Sequence, residues 1–116
     1  MLFRSNDGVP VAGPAYREYV EDYFRGNSIV HGNASLAGRP ARIDAVTAAI
    51  LNVVAEKDHI VPKDSSLALE RLVRPAADYE AKLFPVGHIG LSVGSGAYSK
   101  VWAPVRDWLA QRSGEV

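Results

Sequence analysis

AILNVVA, residues 49–55, decides the fold, because six of its seven residues are apolar and the apolar positions do not alternate with polar ones. A continuous short apolar run of this kind predicts a β-strand that is covered on both faces, as in a parallel sheet. Pro62 stops the strand from running far beyond the polar residues that follow it.

The rest of the C-terminal half predicts the partners of this strand. A helix is expected over 65–73, capped by Asp64 or Ser65 and ended by Pro75. YEAKLF, residues 79–84, is the second strand, and a last helix is expected from about Ala97, with its regular part near Pro104. The order β-α-β-α indicates an open parallel α/β sheet. The last helix carries one apolar stripe, made by Val101, Trp102, Val105, Trp108 and Leu109.

The N-terminal part predicts one helix followed by irregular chain. Residues 1–14 read as loop, and 15–25 as a helix that Gly26-Asn27 ends. Short stretches at 35–37 and 41–43, separated by 38–40, could form a small hairpin. The apolar face of the helix, for which packing is the favoured interpretation, contains Tyr16, Tyr19, Val20, Tyr23 and Phe24.

Two titratable residues follow the two predicted strands. Asp58 lies just past the first strand and His88 just past the second. A right-handed crossover places both loops at the same edge of the sheet, where ligands bind in open α/β folds. An aspartate there can orient a histidine so that its second ring nitrogen acts as a general base, and Gly87 and Gly90 would let the histidine loop turn tightly.

Other roles remain open for these residues. Asp58 could simply cap the turn after its strand. A metal site built from Asp58, His59 and His88 is a weaker alternative, because the sequence lacks a typical His ligand spacing.

Composition limits the function classes. The chain has 116 residues, 13 basic and 13 acidic side chains and no net charge, which gives no support to a nucleic-acid partner or an anionic membrane surface. It has no cysteine, hence neither disulfides nor thiolate metal sites. Neither a signal peptide nor a membrane span is evident, so we expect a cytoplasmic protein.

EKDHIVPKDSS, YEAKLFPVGHIGLSVG and VWAPVRDWLAQR together resemble the C-terminal segment of polyhydroxyalkanoate synthases, and YREYVEDYFRGNSIVHG resembles the stretch upstream of it. The resemblance spans about residues 15–112. It implies an α/β-hydrolase fold, with 1–46 as a lid-proximal helix and loops and 47–116 as a core segment of one partial domain. It also implies an acyltransferase that polymerises hydroxyacyl-CoA, with Asp58 and His88 as the catalytic aspartate and histidine.

The sequence departs from this family at the nucleophile. The family uses a cysteine in a lipase-box-like elbow upstream of both partners, whereas this chain has neither a cysteine nor a G-x-S-x-G motif. Ser95 follows the histidine and has the wrong spacing for that role. An unpaired edge of so apolar a strand also indicates a missing remainder of the sheet.

We therefore expect a C-terminal part of a synthase that is inactive alone, located in the cytoplasm or at polymer granules. Hydroxyacyl-CoA and the polyester chain are its implied substrates, no cofactor and no metal are predicted, and a homo-oligomer or a missing N-terminal portion would be its partner. A piece of another, esterase-like α/β hydrolase is one alternative. A non-catalytic interaction module with a hydrolase-like tail is the other.

Overall fold

The computed structural model describes residues 10–73 and 78–114. These residues form two compact units, which divide between Ile43 and Asp44. The first contains a helix and a small hairpin, and the second contains the parallel strands and the remaining helices.

The first unit begins with the predicted helix. It comprises an α-helix, α1, at Gly13–Glu18 and continues as a π-helix at Tyr19–Arg25. Pro14 occupies the first turn, where its missing N–H costs nothing. The helix predicted over 15–25 is confirmed, with a start two residues earlier and an end just before Gly26.

The packing interpretation of the aromatic face on this helix holds only for Val20 and Tyr23, which are half-buried. Tyr16, Tyr19 and Phe24 are 61%, 59% and 76% exposed. Among the described residues of this unit only Ser28 and Ala34 are buried, so the unit has too little interior to cover an aromatic face.

The predicted hairpin exists, but its boundaries differ from the prediction. Strand β1, Ser35–Leu36, pairs antiparallel with β2, Arg39–Pro40. The turn between them has positive φ at both central residues, 50° at Ala37 and 74° at Gly38, which is the geometry of a type I′ turn. The sequence prediction placed the turn at 38–40 because it gave weight to Pro40, which instead lies in the second arm.

The second unit is built on the two predicted strands. β3, Ile50–Ala55, and β4, Tyr79–Phe84, pair in parallel from Ile50 opposite Tyr79 to Ala55 opposite Phe84. Val54 and Ala55 are 1% and 3% exposed, so burial is deepest at the carboxyl end of β3. The parallel pairing and both strand positions confirm the sequence prediction.

The helix between the strands starts earlier than predicted. α2, Lys63–Leu67, follows Pro62 directly and continues as a 3-10 turn at Ala68–Arg71. A cap by Asp64 or Ser65 is therefore wrong, because Pro62 itself sets the entry and no side chain caps the first turn. The predicted stop at Pro75 lies outside the described residues.

Asn52 connects this helix to the sheet. Its Nδ2 donates to the backbone oxygen of Ser66 at 2.7 Å and to the Tyr79 hydroxyl at 3.0 Å. Asn52 is the one polar residue of β3, and these bonds satisfy its NH₂ group in a half-buried position.

The C-terminal helix starts where predicted but is only partly buried. A π-helix at Tyr98–Trp102 leads into α3, Ala103–Arg112, whose first turn contains Pro104 as expected. The single stripe splits: Val101 and Trp108 are buried, whereas Trp102 and Leu109 are 47% and 54% exposed. Within the described residues, none of the helices is long and apolar enough to cross a membrane.

The strand-helix-strand-helix order and the parallel pair together make the second unit a small α/β fold. The α/β-hydrolase arrangement remains a prediction.

Candidate active site

Backbone pairing continues past the ends of both strands and brings their loops together. The amide of Glu56 donates to the Phe84 oxygen at 2.9 Å, and that of Lys57 donates to the Val86 oxygen at 3.0 Å. The two loops are thus still held side by side at the residue before Asp58. This is the edge at which parallel α/β sheets place their sites.

Asp58 and His88 meet at this edge, as the sequence predicted. The Nδ1 atom of His88 lies 2.8 Å from Oδ2 of Asp58, although the residues are 30 positions apart in the chain. The Asp58 side chain is only 5% exposed and the His88 side chain 44% exposed. The carboxylate is therefore largely buried, whereas the imidazole is partly open to solvent.

The second carboxylate oxygen of Asp58 organises its own loop. Oδ1 accepts hydrogen bonds from the backbone amides of Ile60 at 2.8 Å and Val61 at 2.9 Å. This is the turn-capping role considered as an alternative to the catalytic role, and here it accompanies the bond to His88. Two amide donors fix the carboxylate plane, so that the other oxygen points in a set direction.

These contacts favour the ionised form of Asp58. The Val61 amide is the largest cause that lowers the pKa of the carboxyl group below its ordinary value, with burial opposing it and the His88 bond and Ile60 amide adding to it. An ionised carboxylate only accepts hydrogen bonds. The Nδ1 atom of His88 must therefore be the donor.

This assignment fixes the state of the His88 ring. With the proton on Nδ1, the neutral imidazole has its lone pair on Nε2. His88 begins a 3-10 turn at His88–Leu91 and its ring is partly open to solvent. An oriented and accessible imidazole nitrogen of this kind is suited to act as a general base.

Of the two glycines in the histidine loop, only Gly90 is required by close packing. Gly87 has an extended backbone, with φ of −87°, so the turn does not need a glycine at that position and that part of the prediction is wrong. At Gly90, a Cβ atom would lie 3.0 Å from the Cβ of Val86. A side chain there would force the His88 loop away from Val86.

The two loops also carry exposed apolar side chains, among exposed charged residues such as Lys57 and Lys63. Ile60 is 70% exposed on the aspartate loop, and Ile89 and Val93 are 65% and 62% exposed after the histidine. The sequence analysis did not single out these residues, although their place beside Asp58 and His88 was a usable signal.

The other candidates are not joined to this pair by any described contact. Within residues 10–73 and 78–114, no three His, Asp or Glu side chains are grouped closely enough to hold a metal ion. His59, beside Asp58, is exposed. Ser95 lies in the exposed loop before the last helix, and its role as a nucleophile stays an unsupported alternative.

The chain is similar to curated proteins named poly(3-hydroxyalkanoate) polymerase subunit PhaC. It is 36% identical to that of Haloferax mediterranei over 108 residues, 93% of this chain and 22% of that protein. It is 34% identical to that of Allochromatium vinosum over 106 residues, 91% of this chain and 30% of that protein. The subunit of Synechocystis sp. is 35% identical over 106 residues, 91% of this chain and 28% of that protein.

These matches confirm the resemblance to a segment of the polyhydroxyalkanoate synthases, predicted to be the C-terminal one. The chain spans about a quarter of the length of the relatives it matches. No family model matches it. No solved structure matches it either.

Proposed function

We propose that this chain is the C-terminal part of a polyhydroxyalkanoate synthase and supplies the aspartate and the histidine of its acyl-transfer site. The observation that supports this most is the 2.8 Å bond between Asp58 and the Nδ1 atom of His88, in a ring that is 44% exposed. The relationship to polymerase subunits supplies the reaction class.

The proposed fold is the carboxyl end of an α/β-hydrolase sheet. Residues 47–116 would form its core segment and 1–46 the lid-proximal helix and loops. The parallel β3–β4 pair, with the acid after one strand and the histidine after the next, is the order in which such enzymes place these two residues.

In the proposed reaction, His88 moves one proton. Its Nε2 atom takes the proton from the cysteine thiol that the family resemblance implies in the remaining part of the enzyme. The thiolate attacks the thioester of hydroxyacyl-CoA, the bond from the carbonyl carbon to the CoA sulfur breaks, and the imidazolium returns the proton to the leaving CoA thiolate. Asp58 stabilises the imidazolium between these two transfers.

The surroundings fit an acyl substrate. The exposed side chains of Ile60, Ile89 and Val93 belong to the two loops that carry the pair and offer some apolar surface there. An aliphatic hydroxyacyl unit or polyester chain could lie against them while its carbonyl group faces His88. The cytoplasm, or the surface of a polymer granule, is the compartment that such substrates imply.

The experiment is a chimera in which this chain replaces the 106 matching residues of the Allochromatium vinosum subunit. CoA release from 3-hydroxybutyryl-CoA is measured for the isolated chain, the chimera and the unmodified subunit in parallel. We expect no release by the isolated chain and measurable release by the chimera. Turnover by the isolated chain, or a folded chimera without activity, would contradict the proposal.

An esterase-like origin is distinguished in the same assay. A chimera that hydrolyses p-nitrophenyl esters but does not release CoA from the thioester would favour the esterase alternative. A chain that forms a stable symmetric dimer and gives an inactive chimera would favour the interaction module.

A further inference from the structure

Asn52 is a polar residue in the middle of an otherwise apolar strand. The other five residues of β3 are apolar, and Asn52 itself is half-buried. An amide in such a position is costly unless its groups are hydrogen-bonded, whereas an aliphatic side chain of similar size would have no such requirement. The choice of an amide here therefore points to a role that an aliphatic residue could not perform.

The NH₂ group of Asn52 uses both of its donors. One bond reaches the backbone oxygen of Ser66 at 2.7 Å, and the other reaches the Tyr79 hydroxyl at 3.0 Å. The carbonyl oxygen of Ser66 can only accept, so the NH₂ group and not the amide oxygen must face it. The bond to Ser66 holds α2 against β3, whereas the bond to Tyr79 joins two strands that already pair.

A short series of hydrogen bonds connects Ser66 to the loop that carries Asp58. The Ser66 amide donates to the Pro62 oxygen at 3.3 Å, and the Ser65 amide donates to the same oxygen at 2.9 Å. Pro62 directly follows Val61, whose amide donates to Oδ1 of Asp58 at 2.9 Å. The position of α2 therefore affects the position of the Val61 amide, and with it the plane of the Asp58 carboxylate.

The orientation of this carboxylate matters to His88. The Val61 amide is the largest cause of the lowered pKa of the Asp58 carboxyl group, and the other carboxylate oxygen lies 2.8 Å from Nδ1 of His88. Hydrogen bonds weaken steeply when their angles are poor. A displaced Val61 amide would therefore disturb both the charge of the carboxylate and the bond that it offers to the imidazole.

We propose that Asn52 is a positioning residue for the pair of Asp58 and His88, and that it acts through its bond to Ser66 and the entry of α2. This inference rests on the proposed function in one respect, because it takes the pair as the acyl-transfer site. The orientation of the carboxylate itself is a property of the isolated chain and can be measured without the reaction.

The test removes the amide of Asn52 while keeping a side chain of similar size. Asn52→Leu loses the bond to Ser66, and Tyr79→Phe is the matched control that loses only the second bond of the same amide. Val53→Ala, at a half-buried position on the other face of β3, is the control for lower stability alone.

The two readouts in the isolated chain are the tautomer of the His88 ring, from ¹⁵N NMR, and the hydrogen exchange rate of the Val61 amide. In Asn52→Leu we expect rings with the proton on Nε2 to appear, and we expect exchange at Val61 to be roughly tenfold faster, as for the loss of one hydrogen bond. Tyr79→Phe and Val53→Ala should keep the proton on Nδ1, with slower exchange at Val61 than in Asn52→Leu.

The Allochromatium chimera gives a further readout that a purely structural role would not change. In Asn52→Leu the kcat of CoA release should fall by up to about 100-fold with KM unchanged, because a misplaced reacting group slows the chemical step and not substrate binding. Tyr79→Phe should keep the wild-type kcat.

A second variant covers a failure of Asn52→Leu to fold. Asn52→Ala removes the same bond to Ser66 and adds no bulk, and the same readouts apply to it. Loss of folding in both Asn52 variants under conditions in which Val53→Ala folds would overturn the inference, because Asn52 would then be a determinant of overall stability.

A folded Asn52 variant with the wild-type His88 tautomer, and with Val61 exchange equal to that of Val53→Ala, would also overturn it. So would equal effects of Tyr79→Phe and Asn52→Leu, because the amide would then act through β4 and not through α2. The two proposals fail separately. An altered tautomer in Asn52→Leu together with an inactive chimera keeps the positioning role and refutes the function, and an active chimera with no effect of Asn52→Leu on kcat or tautomer does the reverse.

Discussion

The two ends of the parallel strand pair each hold an aspartate bound to a basic side chain, and the two pairs differ in what they leave free. At the carboxyl end, Asp58 is 5% exposed and binds His88, whose ring is 44% exposed. At the amino end, Asp78 is 52% exposed and binds Arg112 through two bonds, of 2.6 and 3.0 Å. In the first pair the acid is enclosed and the base is open, whereas in the second the acid is the more open partner.

The partners of the two bases explain this difference. The Arg112 guanidinium lies 4.0 Å from the centre of the Trp108 ring and also donates to the Trp108 backbone oxygen. The guanidinium thus contacts both Asp78 and Trp108, and it connects the end of α3 to the start of β4. His88 uses one nitrogen for Asp58 and keeps the other available. A structural pair and a candidate catalytic pair can therefore be told apart by whether the basic side chain keeps a nitrogen without a hydrogen-bond partner among the described residues.

The largest effect is expected for His88→Ala in the active chimera. Removal of the general base of a hydrolase site lowers kcat by roughly 10⁶-fold. CoA release should fall to background, while the Tm of the isolated chain changes little because the ring is half exposed. An activity loss below about tenfold would show that His88 is not the base.

Asp58→Asn should have the next largest effect. An asparagine that keeps accepting from the Ile60 and Val61 amides presents its NH₂ group to Nδ1 of His88, which moves the ring proton to Nε2. Wrong tautomers of this kind cost about 10⁴-fold in kcat. The chimera assay checks this, and retention of activity in Asp58→Asn would make Asp58 a turn cap only.

Trp108→Ala tests the packing around the pair of Asp78 and Arg112 at the amino end of the strands. This side chain is 5% exposed and lies under Arg112, so its removal should lower the free energy of unfolding by about 3–5 kcal/mol in urea titrations of the isolated chain. Trp108→Phe should cost less, because it also removes an indole N–H that is buried without a hydrogen-bond partner. Equal stability of the Ala variant and the wild type would contradict this packing.

Low pH should destabilise the protein through the aspartates at both ends of the strand pair. The pKa of Asp58 is lowered chiefly by the Val61 amide and that of Asp78 chiefly by the Arg112 guanidinium, both from an ordinary value of 3.8. A lowered carboxyl pKa adds stability above the unfolded value, and this stability is lost as pH falls through the lower folded value. The Tm should decrease as the pH falls below about 4, and this decrease should be less steep in Asp58→Asn. Identical pH profiles of the variant and the wild type would contradict this expectation.

The smallest effect is expected for Asp78→Asn. Its ion pair with Arg112 is open to solvent and screened by salt, so Tm should decrease slightly at low ionic strength and be unchanged at 1 M NaCl. CoA release by the chimera should stay at the wild-type level. A strong loss of activity would show that the two ends of the sheet are coupled.

The sequence predicts the second unit well because its signals are strong and local. The continuous apolar run of β3 and the prolines that end the elements were enough to predict the parallel strand pair. That pair determines where Asp58 and His88 meet. The start of α2 was predicted too late, because the helix begins directly after Pro62 and has no side-chain cap. The two bonds of Asn52 depend on tertiary packing and have no local signature.

Periodicity failed where it was used to predict burial. The aromatic face containing Tyr16, Tyr19 and Phe24 has helical spacing, and so does the stripe containing Trp102 and Leu109. Spacing shows that the residues share a face of a helix, but not whether another surface covers it. The pair of Asp78 and Arg112 was also missed, because no sequence pattern places the end of the last helix beside the start of β4.

The central claim is tested most directly by ¹⁵N NMR of the His88 ring in the isolated chain, at a pH where the imidazole is neutral. The account predicts a proton on Nδ1 and a bare Nε2 in the wild type, and the reversed tautomer in Asp58→Asn. A wild-type ring with its proton on Nε2, or a ring unaffected by Asp58→Asn, would contradict it.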